Sequence, residues 1–484
     1  MASELVLRNV RLVGGPAGPV DVGLRDGLVA AIGVDLPADT AGELDLDGRW
    51  LLPGLADRHV HLLQWAKASR RLDLSAAGSA AEVAGLVRTA LSAGVGEVVG
   101  FGFRDGLWPD RPTVAALDAA AGRRPVVLVS GDLHCAWLNT AALDRHGVPA
   151  AGGLVREQAA FDVMATLDDV DPVTEDGWIR DALQAAAARG VTAVTDLEMR
   201  WPFEDWQRRA GAGAPPVRVD AGFYPPDLDR AVGDGLRTGD PVAGTGGRVR
   251  VGPLKVITDG SLNTRTAWCV EPYPGLGPGD HPHGVVSVPY ADLVGLLRRA
   301  TAGGLRVAVH AIGDRANQVA LDAFEATGAA GSIEHAQLLR REDVARFASL
   351  GVLASVQPEH AMDDRDVAER YWPGRTDRAF VLADLHRAGV ELRLGSDAPV
   401  APLDPWVTLD AAVTRSRDGR EPWHPEQAID LATALAASTD GVGTVAEGRA
   451  ADLVVVDGDP AAGGLRTMPV FATMVAGEWT YRAG

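Results

Sequence analysis

The sequence predicts an α/β protein whose centre is a closed parallel barrel of eight strand–helix units. Three observations predict it. Short β-branched runs alternate with Ala-, Leu- and Arg-rich stretches through the middle of the chain, both ends are β-rich, and one long interval breaks the rhythm. Alternating strand and helix signals imply a parallel sheet, and eight units suffice to close it into a barrel. An open doubly wound sheet is the second choice.

The eight runs are GLADRHVHL (54–62), GVTAVTDLE (190–198), PVRVDAGF (216–223), RVRVGPLKVITDG (248–260), LRVAVHAIG (305–313), GSIEHAQ (331–337), GVLASVQPEH (351–360) and VELRLGSDAPV (390–400). Helices are expected at 178–189, 290–303, 315–327, 341–350 and 376–388. At the ends, ELVLRNVRLV and VDVGLRDGLVAAIG face ADLVVVDGD and FATMVAGEWTYR. Their period of two, broken by Gly and Pro, reads as short antiparallel strands. The ends, 1–53 and 441–484, are expected to meet in one small sheet domain around a barrel at 54–440. About 130 residues separate the first two runs and contain GEVVGFGF (96–103) and RPVVLVSGDLH (124–134). This interval, from 62 to about 180, reads as a subdomain inserted after barrel strand one, over the active-site face.

Composition narrows the function. Lys and Arg number 46 against 65 Asp and Glu, a net charge of −19 over 484 residues. A phosphate-binding surface needs a basic patch, so nucleic acid is excluded as the expected partner. Two cysteines, Cys135 and Cys269, give no disulfide framework and point to a reducing compartment. The N-terminus lacks a signal-peptide pattern, and no apolar run is long enough to span a membrane. The expectation is a cytoplasmic protein acting on a small molecule, with a homodimer as the expected assembly.

Chemistry gathers at the C-terminal ends of the runs. His59 and His61 end the first, Lys255 lies in the fourth, His310 ends the fifth, His335 the sixth and Asp397 the eighth. In a parallel barrel these ends share one mouth. Strand alternation points His59 and His61 the same way, with Asp57 one step deeper. Neutral imidazole suits zinc and related divalent ions. A carboxylate on the last strand can bind metal and accept a proton from metal-bound water. A lysine beside cations makes sense if its pKa is depressed and it is carboxylated to an anionic carbamate. Each residue taken alone also has a plainer reading: a hydrogen-bonded core histidine, or an ion pair of Lys255 with Asp259. His360, His386, His424, His281 and His283 give weaker signals.

Together PGLADRHVHL, GPLKVITDGSLNTRTA, VAVHAIGDRANQVALDAFE, IEHAQLL, LGVLASVQPEH and LRLGSDAPV resemble the amidohydrolase superfamily. Within it they resemble the YtcJ-like branch, amidohydrolase family 3, which includes N-substituted formamide deformylases. GTVAEGRAADLVVVDGDP is similar to the superfamily's C-terminal β-sandwich segment, and HCAWLNTAAL (134–143) to the branch's insert. The resemblance covers essentially the whole chain. It implies a distorted (β/α)8 TIM barrel, a β-sandwich made by both termini, and two divalent metals per chain, zinc first. His59, His61 and Asp397 would hold one metal, and His310 and His335 the other. Lys255, N-carboxylated, would bridge them. Asp397 would take a proton from the metal-bridging hydroxide and pass it to the leaving nitrogen. Asn263 and Thr264 stand where the branch commonly has Gly and Ser, and Arg58 replaces a small residue, so specificity cannot be copied from a relative.

The activity this implies is hydrolysis of an amide-type C–N bond in a small N-acyl or N-formyl compound. Alternatives are a deaminase or cyclic-amide hydrolase, and a non-catalytic metal-binding regulatory protein. The candidate substrate contacts are His134, Asp259, Ser261, Asn263, Arg265, Asp314, Gln357 and Trp268. Twelve tryptophans, against nine Phe and five Tyr, suggest aromatic stacking at the mouth or packing of the insert.

Overall fold

The computed structural model describes residues 5–37, 42–93, 97–149, 152–167 and 170–483. Glu4 of the ELVLRNVRLV run and Gly96 of the run at 96–103 lie outside the described residues.

All eight predicted runs are strands of one parallel barrel: Leu55–Val60, Val191–Asp196, Arg218–Phe223, Val249–Ile257, Val307–Ala311, Gly331–His335, Leu353–Val356 and Leu392–Leu394. Each pairs with its neighbour in chain order. Their outward residues are apolar and pack on the surrounding helices; Leu254, Val256, Val309, Ala311 and Ile333 meet Leu293, Leu297, Leu321 and Phe324 in one core. With the outward positions apolar, alternation turns Lys255 and His310 inward. The barrel is distorted at its seam. Strands one and eight share no regular ladder there; instead the Asp397 N–H donates to the His59 carbonyl (2.8 Å) and the His61 N–H to the Ala398 carbonyl (2.8 Å). Closure itself therefore sets Asp397 beside both histidines.

The helices follow the expected positions with two differences. The helix before strand two spans Pro172–Ala187 and starts six residues earlier than 178. Asp171 caps it, accepting from the Val173 (3.1 Å) and Thr174 (3.0 Å) N–H groups, and Pro172 occupies the first turn. The stretch 376–388 is not one helix. A 3₁₀ turn at Thr376–Arg378 and a helix at Leu382–Arg387 are separated by Phe380, whose φ is +52° and whose N–H bonds the Gln337 carbonyl.

Both termini build the second domain. Leu5–Leu12, Val20–Arg25, Leu28–Gly33, Gly42–Asp45 and Trp50–Pro53 join Leu453–Val456, Val470–Val475 and Glu478–Arg482. Trp50–Pro53 runs antiparallel to Leu453–Val456 and ties the two ends together. Leu7, Val22 and Leu24 share a core with Leu453, Val455 and Met474. Not every pairing is antiparallel as expected: Leu5–Leu12 runs parallel to Gly42–Asp45 and to Trp50–Pro53. A period of two reports a half-buried strand and not its direction.

The insert has its own sheet of five strands, Leu72–Asp73, Val98–Phe103, Val126–Ser130, Cys135–Leu138 and Leu154–Arg156, and its own core around Val83, Leu117 and Trp137. The turn between its third and fourth strands carries Asp132 and His134 to the barrel mouth. Among the described residues no helix is long and apolar enough to cross a membrane.

Candidate metal centre

The predicted ligands converge at the mouth. Ligand atoms of His59, His335 and Asp397 lie within 4.8 Å of one another, and all three residues are buried. Asp397 Oδ1 is 3.4 Å from the Nε2 atoms of both His59 and His61. Lys255 Nζ is 3.1 Å from His59 Nε2. His310 adjoins the cluster, its ring centroid 4.4 Å from that of His335, while its Nε2 faces Asp259 Oδ1 (3.4 Å) and the Gly260 carbonyl (3.3 Å). His335 and Asp397 reach the mouth through left-handed backbone, with φ of +73° and +59°. Such conformations are costly away from glycine and cluster at functional sites.

Burial sets the charge states. It pushes His59, His310 and His335 well below the usual imidazole value, and the Lys255 ammonium adds to that. These rings are neutral at pH 7, the ligating form. Burial also lowers Lys255 to about 8, although Glu334 and Asp397 pull the other way. Asp57, raised by burial to about 6, accepts from the Ser396 N–H at 2.9 Å and the His59 N–H at 3.2 Å and braces strand one against strand eight. His61 Nδ1 and His360 Nε2 are buried nitrogens with no hydrogen-bond partner among the described residues. Neutral imidazoles with unspent nitrogens, a depressed lysine and one carboxylate suit a divalent metal.

Among the residues around the ligands, Glu334 escaped the sequence reading and His360 was undervalued by it. Glu334 Oε2 sits 2.6 Å from His59 Nδ1. A carboxylate there takes the Nδ1 hydrogen and leaves the Nε2 lone pair for metal. The available signal was an acid beside His335 in a run otherwise too apolar for it. His360, treated as a weak candidate, stacks on His335 at 6.1 Å and 11°, with Nε2 3.7 Å from Asp397 Oδ2.

The substrate candidates divide. His134, Ser261 and Asn263 line the pocket over the ligands. The other five brace it from behind. Asp259 accepts from the N–H groups of Trp268, Ile312 and Gly313 (2.8, 3.0 and 2.9 Å). Gln357 Oε1 meets His335 Nδ1 at 2.9 Å. Asp314 accepts from the Val270 N–H (2.8 Å), and Arg265 lies over the Tyr371 ring (5.3 Å). Trp268 packs against the barrel core with Arg315 over its ring. Among the described residues no tryptophan lines this pocket. Trp137 is fully buried in the insert's own core, and Trp206, Trp372 and Trp406 in cores outside the insert, so these four neither stack on substrate nor dock the insert. The apolar walls are instead Leu133, Phe161, Met164, Met199 and Ile312. Arg58 lies below the ligands and bonds Asp220 (2.9 Å) and Asp440 (3.0 Å), a packing role.

Residues 42–481 match the model of the amidohydrolase family, Amidohydro_3. The chain belongs to this family. The amidohydrolase is 29% identical over 490 residues to the YtcJ protein of Bacillus subtilis (strain 168), with 91% of this chain and 90% of that one covered. It is 26% identical over 522 residues to the N-substituted formamide deformylase of Arthrobacter pascens, covering 94% and 93%. Its fold matches that of an uncharacterized metal-dependent hydrolase from Pyrococcus horikoshii with a TM-score of 0.79, 26% identity, and 96% and 99% coverage. The amidohydrolase is thus a metal-dependent hydrolase by family and by fold.

Proposed function

We propose that this amidohydrolase cleaves the amide-type C–N bond of a small N-acyl or N-formyl compound, using two divalent metals, zinc first. His59, His61 and Asp397 would hold one ion, and His310 and His335 the second. Lys255, carboxylated on Nζ, would bridge them; a nitrogen held near 8 in a dry site is free to react with carbon dioxide in its neutral fraction. When bound, the metals supply Lewis acidity and acidify water at neutral pH. The observation that carries the reading is Asp397, set 3.4 Å from two candidate ligands and opening onto the pocket. There it can take a proton from the attacking water and return it to the nitrogen as the C–N bond breaks. The apolar walls from Phe161, Met164 and Met199 suit an acyl or amine group with an apolar body. The similarity to a formamide deformylase points to the same bond class.

The test is turnover of a panel of N-formyl amines, N-acyl amines, cyclic amides and ring amines by zinc-loaded protein. Release of free amine from the first two sets is expected. Turnover confined to ring amines, with ammonia as product, would overturn the bond class and favour the deaminase.

A further inference from the structure

Besides its apolar walls and the candidate ligands, the pocket carries Arg104, Asp132 and Asp364. Two of these three are already paired. Asp132 accepts from the Ser130 hydroxyl (2.5 Å), the Ser261 hydroxyl (2.6 Å) and the His134 N–H (3.2 Å). Arg104 Nη2 donates to Asp363 and to the Val400 carbonyl, both at 3.0 Å. Arg417 shares Asp363 with it (2.6 Å) and also donates to Glu359 (2.8 Å).

Asp364 is the exception. Its side chain is only 16% exposed, yet its carboxylate accepts no hydrogen bond among the described residues. Its ion pair with Arg104 Nη1 is long, at 4.0 Å. A carboxylate so far out of water ordinarily collects donors to replace it. The strongest charges acting on it are the cations Arg104 and Arg417 and the anions Asp363 and Asp132. These offset one another, and Asp364 leaves this wall negative. Burial raises its carboxyl to about 7, and a cationic partner would restore the charged form in full. Its position is also defined. Asp364 and His360 stand four residues apart on the helix Pro358–Tyr371 and share a face, about 6 Å from each other. His360 Nε2 is 3.7 Å from Asp397 Oδ2. Asp364 therefore lies one helical turn from the histidine that adjoins the proposed proton carrier.

We propose that Asp364 is a specificity-determining residue that binds a protonated amine on the leaving half of the substrate. The inference rests on the amide-hydrolase reading. The preferred substrates are then N-acyl or N-formyl diamines, with about four carbons between the two nitrogens to span one turn. One nitrogen leaves beside Asp397, and the other donates its N–H groups to Asp364. Arg104, held away by Asp363, leaves Asp364 open to that amine.

The test uses N-benzoyl-1,4-diaminobutane, N-benzoylpentylamine and N-benzoyl-4-aminobutyrate, which carry a cation, an alkyl end and a carboxylate at a similar reach. Zinc-loaded wild type and Asp364→Asn are compared at about pH 8, after checking bound zinc and melting temperature. Wild type is expected to favour the diamine amide over the pentylamine amide by at least about tenfold in kcat/KM, and Asp364→Asn to bring that ratio within about threefold of one. The ketone isostere of the diamine amide, which cannot be hydrolysed, should bind Asp364→Asn at least about tenfold more weakly by calorimetry. A wild type that favours the pentylamine or aminobutyrate amide, or cleaves other N-acyl amines but not the diamine amide, would overturn the proposal and leave the amide reading standing. So would a wild-type preference retained in Asp364→Asn. A wild type that cleaves none of these amides and no N-acyl or N-formyl amine would instead overturn the amide reading, and ketone affinity would still decide the role of Asp364: equal in both proteins, it would overturn that role too.

Discussion

Glu334 defines what a single residue does at this centre. Buried and 2.6 Å from His59 Nδ1, it selects the tautomer whose Nε2 faces Lys255 and Asp397. Glu334→Gln is expected to weaken metal affinity by about 10–100-fold, read by competition with a chelator; unchanged affinity would remove Glu334 from the ligand support. His134 gives a second, pH-dependent prediction. Burial pulls its imidazolium down, but Glu157 and Asp132 outweigh burial and raise it to about 9 from 6.5. A raised value means stability present in full below the unfolded value and lost as pH rises through about 9. The melting-temperature gap between wild type and Glu157→Gln should therefore be widest near pH 6 and shrink toward pH 9; a gap growing with pH would contradict the ion pair. The candidate ligands were legible in the sequence because they fall within or at the ends of the predicted strand runs, which a parallel barrel gathers at one mouth. Glu157 was not, since nothing in VREQAAF distinguishes it from a surface acid.

At the scale of elements, alternation was enough to find eight strands and to turn Lys255 and His310 inward. It failed where backbone leaves the extended region. His335 faces the mouth although its neighbour Glu334 also faces the interior, which a regular strand forbids, and the +73° φ explains it. The tryptophans left two readings open, because a large ring signals burial without saying against what. The seam between strands one and eight is a tightly packed joint. A Cβ on Gly395 would lie 2.8 Å from the His59 nitrogen and 2.9 Å from Asp57 Oδ1, neither able to yield without moving strand one. Gly395→Ala is expected to lower the melting temperature by more than about 2 °C and to reduce bound metal. Wild-type values for both would mean the seam is looser than its hydrogen bonds indicate.

Across the whole molecule the three units divide the work. The terminal strands, joined through Trp50–Pro53 and Leu453–Val456, hold the chain ends together, and Arg58 ties strand one to Asp440. The barrel presents the ligands, and the insert brings His134, Asp132 and Phe161 over them. The sequence conveyed this plan through spacing alone, yet it could not say which insert residues descend to the candidate ligands, because that depends on how two separate cores dock. In the proposed reaction one metal-loaded carboxylate moves the proton. The most direct test is to measure bound zinc and amide hydrolysis together in wild type and Asp397→Asn. Bound metal and turnover are expected in wild type, lost on chelation and restored by zinc, with kcat at least about 10²-fold lower in Asp397→Asn. Full activity in Asp397→Asn, or a wild type that binds no metal and hydrolyses nothing after zinc is added, would contradict it.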